Sequence, residues 1–481
     1  MATPWSRCLA ALVLLLASAS ARGQFATPQA PSAAIRTPQL RACGRWFLDP
    51  GGRVVLLRGV NLAGNAKVPP FVPVADPSDL DPLTAMGMNV VRLVFIWEAF
   101  EPTPGVYDDV YLARMRAIAE AAWARGLYTI VDFHQDGYSR FVSRGSGDGF
   151  PLWAVSSRAS ATTPDNGLGC RSWPLMVATD RNMHRCFADF YADSSGVRSR
   201  YLTMLRRAAA AFVSCPGVVG YDLLNEPWGD ERRELAPLYR DAGAVIRSID
   251  PAAILFLEGH ITTNCGLQTR LPHPEFANTS YAPHYYNPGT IVRECWRGRT
   301  VQIDRAFSHM ETKAGEWGVP LFLGEFGVPA DTAHAKEYMA ALYDRLDDAL
   351  ASGAQWNYTP GWNRHDKDGW NGEDYTILHP GGAPRPNFSE RPYPRATAGI
   401  PLHFQFIEAR YPRRDHALDF AWDHHPGRGT TEIFVPRRLF PANSALTIEG
   451  AGASYRWDAA TQRLVVRASG AGVVRVRLVA G

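Results

Sequence analysis

No stretch of the 481-residue chain stays apolar for the roughly 20 residues that a bilayer crossing needs. No block of basic residues occurs either. Fifty Lys and Arg against 47 Asp and Glu leave a formal +3, so no nucleic-acid partner is expected. A glycine-rich phosphate loop ending in Lys-Ser/Thr is missing, as is a Gly-x-Ser-x-Gly elbow, which removes the usual signatures of nucleotide and serine-hydrolase chemistry. Internal repeats are absent, and 46% hydrophobic residues are too many for a disordered chain. Only seven cysteines are present, none as Cys-x-x-Cys and none beside histidines at zinc spacing, so no metal is expected. His424 and His425 would face opposite sides of a strand and suit a metal poorly.

The N-terminus carries a targeting pattern. Arg7 precedes the apolar run Cys8–Ala17, and Ala19-Ser20-Ala21 offers the small residues a signal peptidase accepts. Residues 1–21 therefore read as a signal peptide and 22–40 as a flexible Pro/Ala/Thr-rich segment, placing the protein in a secreted or periplasmic setting. Cleavage would remove Arg7 and Cys8, leaving six cysteines and a formal +2. An even number after export is compatible with disulfides. Cys170–Cys186 and Cys265–Cys295 would each staple a long loop, among the many pairings six cysteines allow.

Between Arg53 and Trp362 short apolar runs alternate with amphipathic segments. Strands are expected at Val54–Leu62, Asn89–Trp97, Leu127–His134, Val218–Asn225, Ala253–Glu258, Ser280–Tyr286, Pro320–Phe326 and Ala354–Tyr358. Several are continuously apolar, as parallel strands covered on both faces are. Helices are expected at Tyr107–Arg125, Val197–Val213, Glu234–Ile249, Val301–Trp317 and Ala333–Ala351; Tyr111, Met115, Ile118 and Ala122 show the spacing of one apolar helix face. Eight strands with intervening helices are the count of a TIM (β/α)₈ barrel, here over 41–390. The insertion Gly137–Gly196 follows the third strand and so belongs to the loops where such barrels build their sites. Gly381–Pro394 reads as a Pro/Gly-rich linker or strap. Residues 391–481 hold only short β-prone runs, among them the alternating Val474–Val479, and predict a small C-terminal antiparallel β-sandwich.

A pair of strand-end glutamates stands out: Val218–Pro227 reads VVGYDLLNEP, and Pro320–Gly327 reads PLFLGEFG. An acid at such a place gives up hydration, a cost that a structural residue rarely bears. Each alone could be a buried ion-pair partner. Facing each other across a barrel mouth, Glu226 and Glu325 have the makings of a glycosidase pair.

The Asn-Glu-Pro at 225–227 and Gly-Glu-Phe-Gly at 324–327 resemble glycoside hydrolase family 5, a set of retaining β-glycosidases on TIM barrels. The runs Asp132–Arg140 (DFHQDGYSR), Ala282–Tyr286 (APHYY) and Trp370–Asp374 (WNGED) narrow the resemblance to its endoglycoceramidase branch, which releases oligosaccharides from glycosphingolipids. The resemblance implies Glu226 as acid/base and Glu325 as nucleophile, with their proton affinities pushed apart. It further implies Arg92 and Tyr286 supporting the nucleophile, with His284 on the same strand face as Tyr286. Asn225 would meet the sugar 2-hydroxyl, and His134 and Asp136 would hold sugar hydroxyls. Lys67 would bind the glycan, and Trp356 would form the floor of the cleavage subsite. The blander alternatives are a strand-end salt bridge for Arg92, a surface lysine at 67 and a packing residue at 356.

Trp362, Trp370 and Glu373 are further candidates for sugar contact. No cofactor is needed by a displacement that uses carboxylates and water. The expected partner is a glycolipid, met by a monomer, with peripheral membrane contact through the apolar loop Val68–Val74 (VPPFVPV). A steryl-β-glucosidase, a galactosylceramide-preferring enzyme or an endo-β-glucanase would keep the chemistry and change the aglycone; the segment Asp132–Arg140 and the apolar loop disfavour the last. A non-catalytic glycolipid-binding protein is the alternative of another class.

Overall fold

Valine- and isoleucine-rich runs such as Val90–Ile96 (VVRLVFI) bury every side chain, as strands do when covered on both faces. The computed structural model describes residues 39–165, 173–409 and 415–481. In it eight parallel strands form the expected barrel. They are Arg58–Leu62, Val90–Ile96, Tyr128–His134, Val218–Asp222, Ile254–Leu257, Thr279–Tyr281 with His284–Tyr285, Phe322–Leu323 with Glu325–Phe326, and Ser352–Tyr358. We refer to them as the first to eighth strands. Neighbours pair in parallel from the seventh through the eighth and first to the sixth. Sixth and seventh close the cylinder through the bridge Tyr281↔Leu321 and the pairs His284↔Glu325 and Tyr285↔Phe326.

Amphipathic helices cover the barrel. Helix Asp109–Ala124 starts where the Asp108 side chain accepts the N–H of Tyr111, and buries Tyr111, Met115, Ile118 and Ala122. Val301–Trp317 ends on Gly318 in the left-handed conformation. Among the described residues no helix is long and apolar enough to cross a membrane.

The C-terminal strands form two antiparallel layers. One is the four-stranded sheet of Gly399–Ile407, Ala417–His424, Gly472–Val479 and Ala445–Glu449. The other has seven strands, and three of them come from the front of the chain: Arg41–Cys43, Trp46–Leu48 and Val54–Val55. Val54 and Val55 pair with Thr397 and Ala396. This corrects the expectation that residues from 41 onward belong to the barrel. The apolar run Val54–Leu62 is in fact two strands, broken where Ser352 Oγ accepts the N–H of Leu57 and Asn89 Oδ1 accepts that of Arg58. No glycine or proline marks that break until Gly59, so the run reads as one strand. Between the layers pack Phe404, Phe420, Trp422, Ile433, Phe434 and Val476.

This domain grips the barrel at the N-terminal ends of its strands. Arg395 donates to the carbonyls of Gly87, Met88 and Gly126, and Tyr393 Oη donates to Gly87. Gly87 has φ +76°, and a Cβ there would lie 2.4 Å from the Phe434 ring; only glycine fits.

The expected cysteine staples are not seen. Cys265 and Cys295 are both free thiols. Cys295 is held in a bridge to Ala333 with Sγ against the Trp296 carbonyl, whereas Cys265 closes the turn Ile261–Cys265. Cys186 is a free thiol buried on helix Arg181–Tyr191. Cys170, the expected signal peptide and nearly all of 22–40 lie outside the described residues.

Candidate active site

At the C-terminal ends of the strands the two predicted glutamates converge. Glu226, Glu325 and His284 each place a ligating atom within 4.8 Å of the others. Glu325 leaves the seventh strand with both oxygens engaged: Arg92 Nη1 donates to Oε1 at 2.8 Å and Tyr286 Oη donates to Oε2 at 2.8 Å. Glu226 sits just past the fourth strand with φ +39°, a backbone conformation that side-chain-bearing residues rarely adopt. Its Oε1 meets His284 Nδ1 at 2.8 Å. Burial pushes the Glu226 carboxyl up, and the negative charge of Glu325 adds to this; the hydrogen bond and charge of His284 pull the other way, leaving it at about 7.

Arg92 is the hub beneath the pair, with no exposed surface. Besides Glu325 it donates to Asp222 Oδ2, Asn225 Oδ1, Asn61 Oδ1 and Glu258 Oε1, all at 2.8–3.1 Å, and pairs with Asp132 at 2.9 Å. Burial works against its charge, but Asp132, Asp222, Glu325 and Glu258 together hold the guanidinium firmly protonated. Arg92 is thus both a salt-bridge residue and a ligand of Glu325. Asn225 is fixed as well: its Nδ2 donates to the Gln135 carbonyl at 3.0 Å.

A second cluster lies beside the first. Lys67 is only 2% exposed, so the surface-lysine alternative fails. It pairs with Asp136, approaches Asp148 to 3.9 Å, and sits 4.3 and 3.8 Å from the ring centroids of Trp356 and Trp370, inside cation–π range. His134 stacks on Trp356 at 5.6 Å and 9°, with Nδ1 on Asp132 at 2.7 Å and Nε2 toward Asp136 at 3.3 Å. Burial lowers the proton affinity of His134, but Asp132 and Asp136 outweigh it and carry the imidazole to about 10. Trp356 Nε1 donates to Glu373 at 3.2 Å. Burial raises the Glu373 carboxyl to about 8 despite Lys67. The cluster thus offers a rigid aromatic wall edged by charged and neutral hydrogen-bonding groups, the equipment for a sugar ring.

Every residue expected at the site is therefore brought to this end of the barrel. Of the extra candidates, Trp370 and Glu373 join it, whereas Trp362 gives its indole N–H to Asp374 and stacks under Arg385. Glu258, Asp132, Asp222 and Asp148 were not singled out from sequence. For Glu258 the signal was available, since it closes the expected strand Ala253–Glu258. Among the described residues, three groups of acids and histidines have donor atoms close enough for a metal: His134, Asp136 and Asp148; Asp222, Glu258 and His284; Glu226, His284 and Glu325. A protein cation, Lys67 or Arg92, already meets carboxylates in each.

A parallel barrel with two convergent glutamates at the ends of its fourth and seventh strands is the framework of a glycoside hydrolase. Residues 48–361 match the family model of cellulases of glycosyl hydrolase family 5, and 391–478 match that of the family 5 C-terminal domain; the chain belongs to glycoside hydrolase family 5. It is 29% identical to endoglycoceramidase I of Rhodococcus hoagii (strain 103S), over 93% of this chain and 89% of that protein. Among solved structures, endo-glycoceramidase II from Rhodococcus sp. as its ganglioside GM3 complex superposes with a TM-score of 0.77 at 26% identity, covering 92% of this chain and 100% of that one. The same enzyme as a lactosyl-enzyme intermediate gives 0.75 at 26%, covering 90% and 99%.

Proposed function

We propose that this glycoside hydrolase is a retaining endoglycoceramidase that cleaves the bond between a glycan and its lipid, with Glu226 as acid/base and Glu325 as nucleophile. The approach of the two carboxyls within 4.8 Å carries the reading: retaining enzymes need about 5–5.5 Å, and inverting ones leave room for a water. In the first step Glu325 attacks the anomeric carbon while Glu226 protonates the glycosidic oxygen. The carbon–oxygen bond breaks, the lipid alcohol departs and a glycosyl ester forms. In the second step Glu226 takes a proton from water, the water oxygen attacks the anomeric carbon, and the ester breaks. A carboxyl with a proton affinity near pH 7 serves both roles. The names of the relatives, and the GM3 and lactosyl species solved on one of them, support a glycosphingolipid over a cellodextrin.

The loop Val68–Val74 supports contact with the lipid or its bilayer. Pro69 and Pro70 are exposed, Phe71 and Val72 are half-buried, and Pro73 and Val74 anchor it inside. The apolar N-terminal run and its small-residue cleavage site support export of the enzyme. F71S/V72S should lower kcat/KM on a lipid-linked glycan about tenfold while leaving a nitrophenyl glycoside within twofold; equal slowing of both removes the lipid role.

The deciding experiment is a panel of glucosylceramide, galactosylceramide, lactosylceramide, ganglioside, steryl glucoside and cellodextrin, with products read by mass spectrometry and the first-formed anomer by NMR. Release of an intact oligosaccharide with retained configuration supports the proposal. Release of single sugars only, or turnover confined to steryl glucoside or cellodextrin, reassigns the substrate. An inverted anomer ends the two-step mechanism.

A further inference from the structure

We propose that Glu258 is a positioning residue that holds the acid/base glutamate from behind, fixing its backbone directly and its carboxyl through His284. The inference rests on the reading of Glu226 as acid/base. Glu258 stands at the end of the fifth strand, 1% exposed. Its Oε2 accepts the backbone N–H of Glu226 at 2.9 Å. Its Oε1 meets Arg92 Nη2 at 3.1 Å and His284 Nε2 at 3.2 Å. His284 in turn presents Nδ1 to Glu226 Oε1 at 2.8 Å.

Two physical consequences follow from that placement. The first concerns the backbone. Glu226 has φ +39°, a conformation that persists only where its surroundings enforce it. The N–H bond to Glu258 is such an enforcement, and it is charge-assisted. The second concerns charge. His284 Nδ1 lies on Glu226, and the ring stands between two further carboxyl groups, Glu258 3.2 Å from Nε2 and Glu325 3.6 Å from Nδ1, an arrangement that favours the imidazolium. Burial opposes that charge, and the charges of Glu258 and Glu325 outweigh it.

The other titratable groups around the pair are Glu325, 3.6 Å from His284 Nδ1, and Arg92 and Asp222 behind Glu258; burial and the Glu258 charge push the Asp222 carboxyl toward its neutral form. Asp136 and Cys265 act on or near Glu226. Of these groups, His284 is the one that makes Glu226 easier to ionise against its burial. Glu258, by keeping His284 charged, sets the pH at which Glu226 gives up its proton.

The test is E258Q in the full-length enzyme, with kcat/KM on a nitrophenyl β-lactoside followed against pH. Without the Glu258 charge His284 becomes neutral, Glu226 holds its proton more tightly, and the alkaline limb should move up by about one pH unit. E258D keeps the charge but shortens the reach, so it should lower kcat while leaving the limb within a few tenths of a unit. A limb that stays put or moves down in E258Q overturns the proposal. Nitrogen NMR of the parent imidazoles supplies a readout independent of any variant's folding. His284, assigned by difference with H284N, should be doubly protonated at pH 7, and a neutral ring overturns the proposal. E226Q distinguishes the acid/base role of Glu226 from the positioning role of Glu258. It should still release a burst of dinitrophenolate from dinitrophenyl β-lactoside, whose leaving group needs no proton. Loss of that burst refutes the acid/base reading and this proposal with it; a retained burst with an unmoved E258Q limb refutes this proposal alone.

Discussion

The two ends of the barrel are built from opposite materials on the same strands. Two residues apart, Val90 gives way to Arg92, Ile130 to Asp132, and Phe256 to Glu258. The lower layer packs with Leu57, Ala282, Phe322 and Ala354, and the C-terminal domain closes it from outside. The upper layer gathers Asp132, Asp222, Glu258 and Glu325 around a single buried guanidinium. Apolar packing is non-directional and strongly stabilising, whereas buried charges add little net stability but hold one geometry if fully paired. The contrast assigns fold stability to one end and positioning of the reacting groups to the other.

Substitutions on the two sides should therefore give opposite readouts. E325Q should lower kcat by about 10⁴-fold or more while the first thermal transition moves by only a few degrees; a large loss of stability with activity largely kept would invert the assignment. Phe256→Ala at the closed end removes a ring packed against Phe322 and Phe47 at 5.3 and 6.1 Å between centroids. It should cost about 3–5 kcal/mol in denaturant unfolding and leave kcat within about threefold, which steady-state kinetics on folded protein would check.

A smaller effect comes from proton linkage at the catalytic end. The Glu226 carboxyl is raised by burial to about 7 from its ordinary 4.5. Between those values the unfolded chain releases this proton and the folded one keeps it, so stability is lost as pH rises through that window. E226Q removes the loss. Its melting temperature should exceed the parent's by about 2–4 °C at pH 8 and match it at pH 4, as scanning calorimetry would show. A gain that is equal at both pH values would have another origin.

Much of the catalytic end was legible because burying an acid is costly, and a glutamate closing an apolar strand advertises that cost. Glu226 and Glu325 were found in this way, and the polar segment 132–140 brought His134 and Asp136. Glu258 carried the same mark but only once, and a single strand-end acid reads equally well as half of an ion pair. The Lys67 cluster needed a fold: Lys67, Asp148, Trp356 and Trp370 meet only after the barrel closes. Cysteine pairing was not legible, because loop spacing says nothing of which way Cys265 and Cys295 point. The strand break inside Val54–Leu62 was hidden for a related reason. The side chains that impose it, Asn89 and Ser352, come from the second and eighth strands.

That break has a consequence for how the molecule comes into being. Arg41–Val55 is made early, yet its hydrogen-bonding neighbour, Tyr393–Thr397, is made late. Until the last sheet arrives, Val54 and Val55 expose an open edge that invites other chains, and ring closure over so long a span is slow. A gene shortened after the barrel would yield this unfinished intermediate permanently. Aggregates, rather than a smaller working enzyme, are the expected product of such a truncation.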